Sequence, residues 1–404
     1  MNKKSIGREM LICQCLSLLP TEDFDCPLMD YRNYKLSTKS LIKTFVSAQL
    51  DQWSSYEHIE EKLDAYPKLR KEIGIQEISG SQLSRRINDL PTELVQKLFI
   101  KVVEKVSQLT KGLKGLPNGL GWLRIVDSTE IRLPENLCNW AHISKKQTGV
   151  KMHTRLVVAS PDVVYPDKIV PSSGKLSDFE SSDVMVEESD AIYVMDRGYP
   201  SRENIMSWQE KEVSFVVRIS KSLRLGILEE YTPTNPSVVQ DSKVSYTVSQ
   251  PPVRYIEFVD EKQRIYRILT DRFDLTDQQV MEIYRARWTI ELFFKWIKQH
   301  LRLTKIWSTN PQGIWNQMFL ALIAYGLSLI LKLQTQSNKS PWEFFRLLQT
   351  YLFKSVSSFE RALKFKKKKI SKGRKKVPIP KPKPTADFGN VAINKTEKKK
   401  RKHR

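Results

Sequence analysis

Apolar and polar residues follow three rhythms along this chain of 404 residues. Up to about residue 110 the period is helical. Leu41, Ile42, Phe45 and Val46 share one face of a segment that Ser37 can cap. Leu83, Ile87 and Leu90 then mark a short helix beginning near Ser81; Pro91 ends it, and Leu94, Leu98, Val102, Val106 and Leu109 carry a second. The Gly-rich break KGLKGLPNGLGW leads into short, β-branched runs: WLRIVD (122–127), TRLVVAS (154–160), DKIVP (167–171), AIYVMD (191–196) and SFVVRI (214–219). Such runs predict buried strands of a mixed sheet. Between 220 and 268, Pro233, Pro236, Pro251 and Pro252 punctuate alternating segments such as KVSYTVS and VRYIEFVD, predicting an antiparallel insert. Helical spacing resumes at 276, breaks near 302–313, and continues to about 363.

Charge changes the picture at the end of the chain. From Arg361 to Arg404, 19 Lys and Arg oppose only Asp387 and Glu397, so +17 of the formal +22 lies in the last 44 residues. This Lys- and Pro-rich stretch is too poor in apolar residues to fold and reads as a disordered tail. A net charge of that size argues for a polyanionic partner, nucleic acid or an acidic membrane surface, against the plainer reading of a solubilising terminus. Cys13, Cys15, Cys26 and Cys138 are too few for a disulfide framework and fit small buried hydrophobes in a reducing cytosol better than a metal site. The N-terminal MNKKSIGREMLICQCLSLLP starts like a secretory signal, but Gln14 interrupts the apolar run and no small-residue cleavage site follows. The run MFLALIAYGLSLILKL (318–333) is shorter than the ~20 residues of a membrane span and predicts a buried helix.

Three carboxylates stand out. RIVDSTE and YVMDRGY each deliver an aspartate, Asp127 and Asp196, at the carboxyl end of an apolar strand, where side chains enter a sheet's ligand crevice; taken singly each reads more readily as a turn former. The third lies in YRARWTIELFFKWIKQH (284–300). Thr276 and Gln279 form a plausible capping box, and nothing from there to Leu301 breaks a helix. At about 100° per residue, Tyr284, Arg287, Glu291 and Lys298 project from one stripe about 60° wide. The plain alternative is an amphipathic helix whose Glu291 pairs with Lys295 or Arg287. Against it, Ile283, Ile290, Phe294 and Ile297 supply a separate apolar face, and the bases exceed what one acid can neutralise. Such a grouping suits a phosphodiester held beside a carboxylate-bound cation.

Tyr284, Arg287, Glu291 and Lys298, as Tyr-x2-Arg-x3-Glu-x6-Lys, resemble the hallmark of the DDE transposases of insertion-sequence family four. VDSTEIRLP and MDRGYPS resemble that family's two Asp motifs, GVKMHTRL and GKLSDFE its intervening segments, and the likeness spans about residues 10–335. The resemblance implies an α/β fold: an RNase H-like mixed sheet with flanking helices, interrupted by a β-rich insert, with a helical N-terminal domain and a basic tail. The corresponding boundaries are 1–112 for an N-terminal DNA-binding domain, 120–219 with 268–335 for the catalytic domain, 220–267 for the insert, 336–363 for a C-terminal helical segment and 364–404 for the tail. It implies Asp127, Asp196 and Glu291 as catalytic ligands of two Mg²⁺ (or Mn²⁺) ions, and Tyr284, Arg287 and Lys298 as phosphate contacts. The partners implied are double-stranded DNA, both terminal inverted repeats and target, and a second copy in a homodimeric synaptic complex, in a bacterial cytoplasm at the nucleoid and without a membrane.

Other residues carry weaker expectations. Arg197, adjoining Asp196, is expected to contact DNA. Arg85 and Arg86, exposed on the helix near Ser81, suit either a DNA-reading helix pair or an ordinary solvated hairpin. Relatives that form hairpins stack a flipped base on an aromatic of the insert; here the insert lacks Trp, leaving Tyr231, Tyr246 or Tyr255, while Trp208 and Trp288 are expected in the core. His153 reads as structural, and Asp178, Asp183, Glu187 and Glu188 as surface acids, Asp178 being the best outsider. Two other functions fit the composition: a structure-selective nuclease on the same scaffold, which would cut without joining strands, and a non-enzymatic basic DNA-binding protein, which would leave the three acids unexplained.

Overall fold

The computed structural model describes residues 9–22, 27–134, 138–144, 147–174, 176–247, 250–301, 303 and 305–364. Cys26 and nearly all of the basic tail lie outside the described residues. Before residue 111 the helical pattern becomes α1 (Leu11–Ser17), α2 (Pro27–Asp30), α3 (Thr38–Leu50), α4 (Tyr56–Ala65), α5 (Pro67–Ile73), α6 (Gly80–Asp89) and α7 (Thr92–Thr110). Ser37 caps α3 by accepting the Ser40 N–H, as expected. A capping box of Ser79 and Gln82 starts α6 one residue before the expected Ser81. Gly115 (φ +75°) makes the turn into the sheet. A Cβ there would lie 1.9 Å from the Gly121 carbonyl oxygen, so only glycine fits.

The strands are β1 (Leu123–Leu133), β2 (His142–Ser144), β3 (Gln147–Ser160), β4 (Val163–Ser173), β5 (Ile192–Met195), β6 (Phe215–Arg218), β7 (Gly226–Tyr231), β8 (Val238–Ser245), β9 (Val253–Val259) and β10 (Ile265–Thr270). They form one mixed sheet in the order β2-β3-β1-β5-β6-β10-β9-β8-β7, with β4 on β3. The pairs β1–β5 and β5–β6 are parallel and the others antiparallel. The Pro-punctuated region is antiparallel, as its alternation predicts, and extends this same sheet outward from β6.

Strand β1 is longer than its apolar centre suggested. It runs six residues past Asp127, because Thr129, Ile131 and Leu133 bury alternate side chains while Glu130 and Arg132 face out. Asp127 is therefore mid-strand rather than at a strand end. Its parallel pairing with β5 nevertheless stops at Val126↔Met195, so the two strands part where Asp127 and Asp196 stand.

Helices cover both faces. Leu123 and Ile125 belong to a core with α10 (Asp277–Ala286), α11 (Trp288–His300) and α12 (Pro311–Gln334); Val126 joins a second core with Met185 of α8 (Asp178–Met185) and Trp208 of α9 (Arg202–Glu210). Helix α12 holds the long apolar run. It is long and apolar enough to cross a membrane, yet it is buried inside this fold, against α3, α6 and α7. Its Asn316 side chain donates to the Ile87 and Leu90 carbonyls (2.9 and 2.6 Å), tying the end of α6 to this core helix. The last helices are α13 (Pro341–Tyr351) and α14 (Val356–Lys364).

One expectation fails locally. The segment 276–301 is not one helix but two, interrupted at Arg287. The Thr276–Gln279 capping box is present, but Arg287 N–H donates to Tyr284 O (3.1 Å) and Ile290 N–H to Arg287 O (3.2 Å), three-residue bonds that tighten the chain. The residue stays αR (φ −52°, ψ −33°), so the axis is adjusted rather than broken, and its side chain remains on the side of the acids.

Candidate active site

Four elements bring the acids together. β1 supplies Asp127, the turn after β5 supplies Asp196, and α11 supplies Glu291 in its first turn; Arg287, between α10 and α11, joins them. One guanidinium nitrogen of Arg287 lies 2.6 Å from Glu291 Oε1 and the other 3.6 Å from Asp127 Oδ2. Asp196 is held by the Tyr284 hydroxyl, which donates to Oδ1 at 3.3 Å, and faces Arg218 of β6 at 3.7 Å. The Tyr284 ring meets Tyr266 edge-on (centroids 5.9 Å apart), and Arg287 lies 5.9 Å from its centroid.

The electrostatics are those of a crowded anionic pocket. Asp127 is pushed up to about 6, chiefly by burial and further by the charges of Asp178 and Asp196; the Ser128 amide and Arg287 pull the other way. Burial and the Asp196 charge raise the Tyr284 hydroxyl, so it remains a proton donor at neutral pH. Arg287 is held charged, its neighbours Tyr284, Asp196 and Glu291 outweighing its burial.

Does a divalent cation fit? The donors are hard carboxylate oxygens, and a buried acid surrounded by acids calls for positive charge. As the side chains stand, no three His, Cys, Asp or Glu among the described residues form a group that could hold a metal ion. The Arg287 guanidinium contacts two of the acids and supplies compensating charge there. The donor oxygens themselves are of the hard type that suits a divalent cation.

Beside the acids opens a cleft of about 250 Å³ lined by Phe258, Tyr266, Tyr284 and Trp288 with Arg264, Arg285 and Arg287. Trp288, expected in the core, is 58% exposed, because its position beside the helix break faces out; Trp208 is fully buried as expected. Of the insert tyrosines, Tyr246 and Tyr255 are buried, bonded to Gln209 and Glu257, and Tyr231 is partly accessible.

The chain's residues 118–327, just over half its length, match the family model of the transposase DDE domain. The chain belongs to this family. It is 27% identical over 307 residues to a Geobacillus stearothermophilus protein named "Probable transposase for insertion sequence element IS5377", covering 74% of this chain and 78% of the relative. A Synechocystis protein named "Putative transposase for insertion sequence element IS4SA" is 25% identical over 242 residues, covering 57% of this chain and 67% of the relative. Among solved structures, a piggyBac transposase synaptic complex with hairpin DNA overlaps 89% of this chain and 83% of its own at a TM-score of 0.45 and 13% identity. This DDE transposase is thus an enzyme of the insertion-sequence type that the Tyr284–Lys298 motif suggested.

The remaining expected residues scatter. Arg197 is exposed next to Asp196. Lys298 is half-buried, with Glu130 rather than Asp127 as its acidic neighbour. Arg85 of α6 is exposed. Arg86 is not: one turn from Leu83 and adjacent to Ile87, it falls on the inward face of α6 and bonds to Asp30 (3.1 Å) and the Met29 carbonyl (3.1 Å). Arg85 instead borders a cleft of about 410 Å³ with Arg32, Tyr34 and Lys35. The residue missed was Asp178. It is no surface acid: its Oδ1 accepts from Ser128 Oγ (2.7 Å) and Lys151 Nζ (2.9 Å) and lies 3.6 Å from His153 Nδ1. In the structure a Ser177–Glu180 capping box sets it in the first turn of α8, and its bond to Ser128 brings it to β1, a long-range pairing with no local signal.

Proposed function

We propose that this transposase binds the terminal inverted repeats of its insertion sequence, cuts there and joins the freed ends to target DNA, using Asp127, Asp196 and Glu291 as ligands of two Mg²⁺ or Mn²⁺ ions. The observation carrying this reading is the positive charge set against all three acids: one Arg287 guanidinium contacts acids from two elements, while Asp196 accepts from the Tyr284 hydroxyl and faces Arg218. When bound, the ions supply activation of a water or 3′-hydroxyl and charge neutralisation at the leaving oxygen. Arg287 releases its carboxylates as the site is loaded, and its planar fork then suits a phosphate in the same bidentate manner. Tyr284 orients Asp196 by its hydroxyl, and Arg197 and Lys298 add charge along the DNA backbone.

The pattern β3–β1–β5–β6, one antiparallel pair followed by two parallel ones, supports an RNase H-like core formed by residues 120–219 and 268–335, with 220–267 as its insert. Residues 1–112 take the DNA ends through Arg85, Arg32 and Lys35 rather than Arg86, and a homodimer pairs the two ends. Cleavage and joining of linear DNA bearing the element's ends test the proposal. Loss of both with Asp127→Ala and Glu291→Ala is expected, and undiminished cleavage in either variant overturns it. Cleavage without joining by the wild type would instead indicate a nuclease.

A further inference from the structure

Successive side chains of a strand point to opposite faces, so Asp127 and Ser128 of β1 look away from each other. Asp127 faces Arg287. Ser128 stands opposite His153 of β3 in register and shares its face, the one α8 covers. The two faces are joined through one peptide unit: the Ser128 N–H donates to Asp127 Oδ1 at 2.8 Å, which leaves Oδ2 as the oxygen toward Arg287. The Ser128 hydroxyl in turn donates to Asp178 Oδ1 at 2.7 Å. Asp178 is fixed by Lys151 at 2.9 Å and backed by His153, which is fully buried and itself bonded to Ser172 (3.0 Å). Gly198, two residues after Asp196, leaves room for it, since a Cβ there would lie 3.3 Å from Asp178 Oδ2.

We propose that Asp178 is a positioning residue for the cation site: through Ser128 it fixes the orientation in which the Asp127 carboxylate is presented on the opposite face of the sheet. Lys151 and His153 form its rear support. This rests on the assignment of Asp127 as a metal ligand. An acid that never touches the cation still governs its affinity, because it fixes the torsion of one that does.

Mn²⁺ binding to the full chain, followed by loss of the free-ion paramagnetic signal without DNA, tests the inference. Asp178→Ala should weaken the site that Asp127→Ala removes by about tenfold. Asp178→Asn, which still accepts the Ser128 hydroxyl, should restore most of that affinity. Ser128→Ala should weaken it in the same direction and add little to Asp178→Ala, because both cut one link. A merely structural Asp178 would lower the melting temperature and leave the Mn²⁺ affinity of the folded protein unchanged. Wild-type affinity in folded Asp178→Ala, or in Ser128→Ala should the former not fold, overturns the proposal while leaving Asp127 a ligand. If Asp127→Ala removes no Mn²⁺ site, the metal assignment falls and this inference with it.

Discussion

Replacing Asp127 by Asn should abolish cleavage and at the same time make the resting transposase harder to unfold. The carboxyl is pushed from its ordinary value near 3.8 to about 6, first by burial and then by Asp178 and Asp196, so the folded protein holds its proton more tightly than the unfolded chain does. Stability is therefore greatest below the ordinary value and declines as pH rises through the interval up to about 6; above it the full cost of a buried charge is present. A displacement of that size is worth about 3 kcal/mol. Asn keeps the shape, carries no charge, and escapes the cost. Urea unfolding at pH 8 should show the variant more stable by up to about 3 kcal/mol, with the gap closing toward pH 4. A variant less stable at pH 8, or a gap equal at both pH values, would refute the assignment of that cost to Asp127.

Other consequences are separable. Arg86→Ala should destabilise the fold by about 2 kcal/mol, read by denaturant midpoint, because Asp30 keeps only its Thr38 bonds without a cation and the Met29 carbonyl loses a donor. Arg85→Ala should leave stability within about 0.5 kcal/mol and instead lower the salt dependence of DNA binding by about one phosphate contact in a titration. Tyr284→Phe, which removes the hydroxyl donated to Asp196, should slow cleavage about tenfold with DNA affinity little changed. Gly115→Ala should cost more than about 2 kcal/mol in thermal or urea unfolding, because neither its φ nor the Gly121 carbonyl can accommodate a Cβ.

Much of this was legible because it is local. Ser37 and Thr276 announce their helices by side-chain chemistry within three residues, and the apolar centres of β3, β5 and β6 sit in strands where their β-branched runs predict them. The motif from Tyr284 to Lys298 is short enough for spacing alone to put Arg287 beside Glu291. What stayed hidden depends on pairing between distant segments. The extension of β1 past Asp127 follows from its antiparallel partner β3, and Asp178 reaches the site only because Ser128 and His153 fall opposite each other in that pairing. Arg86 was misread because two adjacent arginines on a helix lie about 100° apart, enough to send one into the core and the other to solvent. Trp288 was misread for the opposite reason: a large aromatic suggests burial, but its place in the first turn after the Arg287 break faces outward.

The convergence of Asp127, Asp196 and Glu291 on a cation in place of the Arg287 guanidinium is tested most directly by a crystal structure of the transposase with Mn²⁺, the ions located by anomalous scattering. The account predicts manganese bound to those three carboxylates, with Arg287 withdrawn from Asp127 and Glu291. Manganese bound to other acids, or none bound while Arg287 still contacts Asp127 and Glu291, would contradict it.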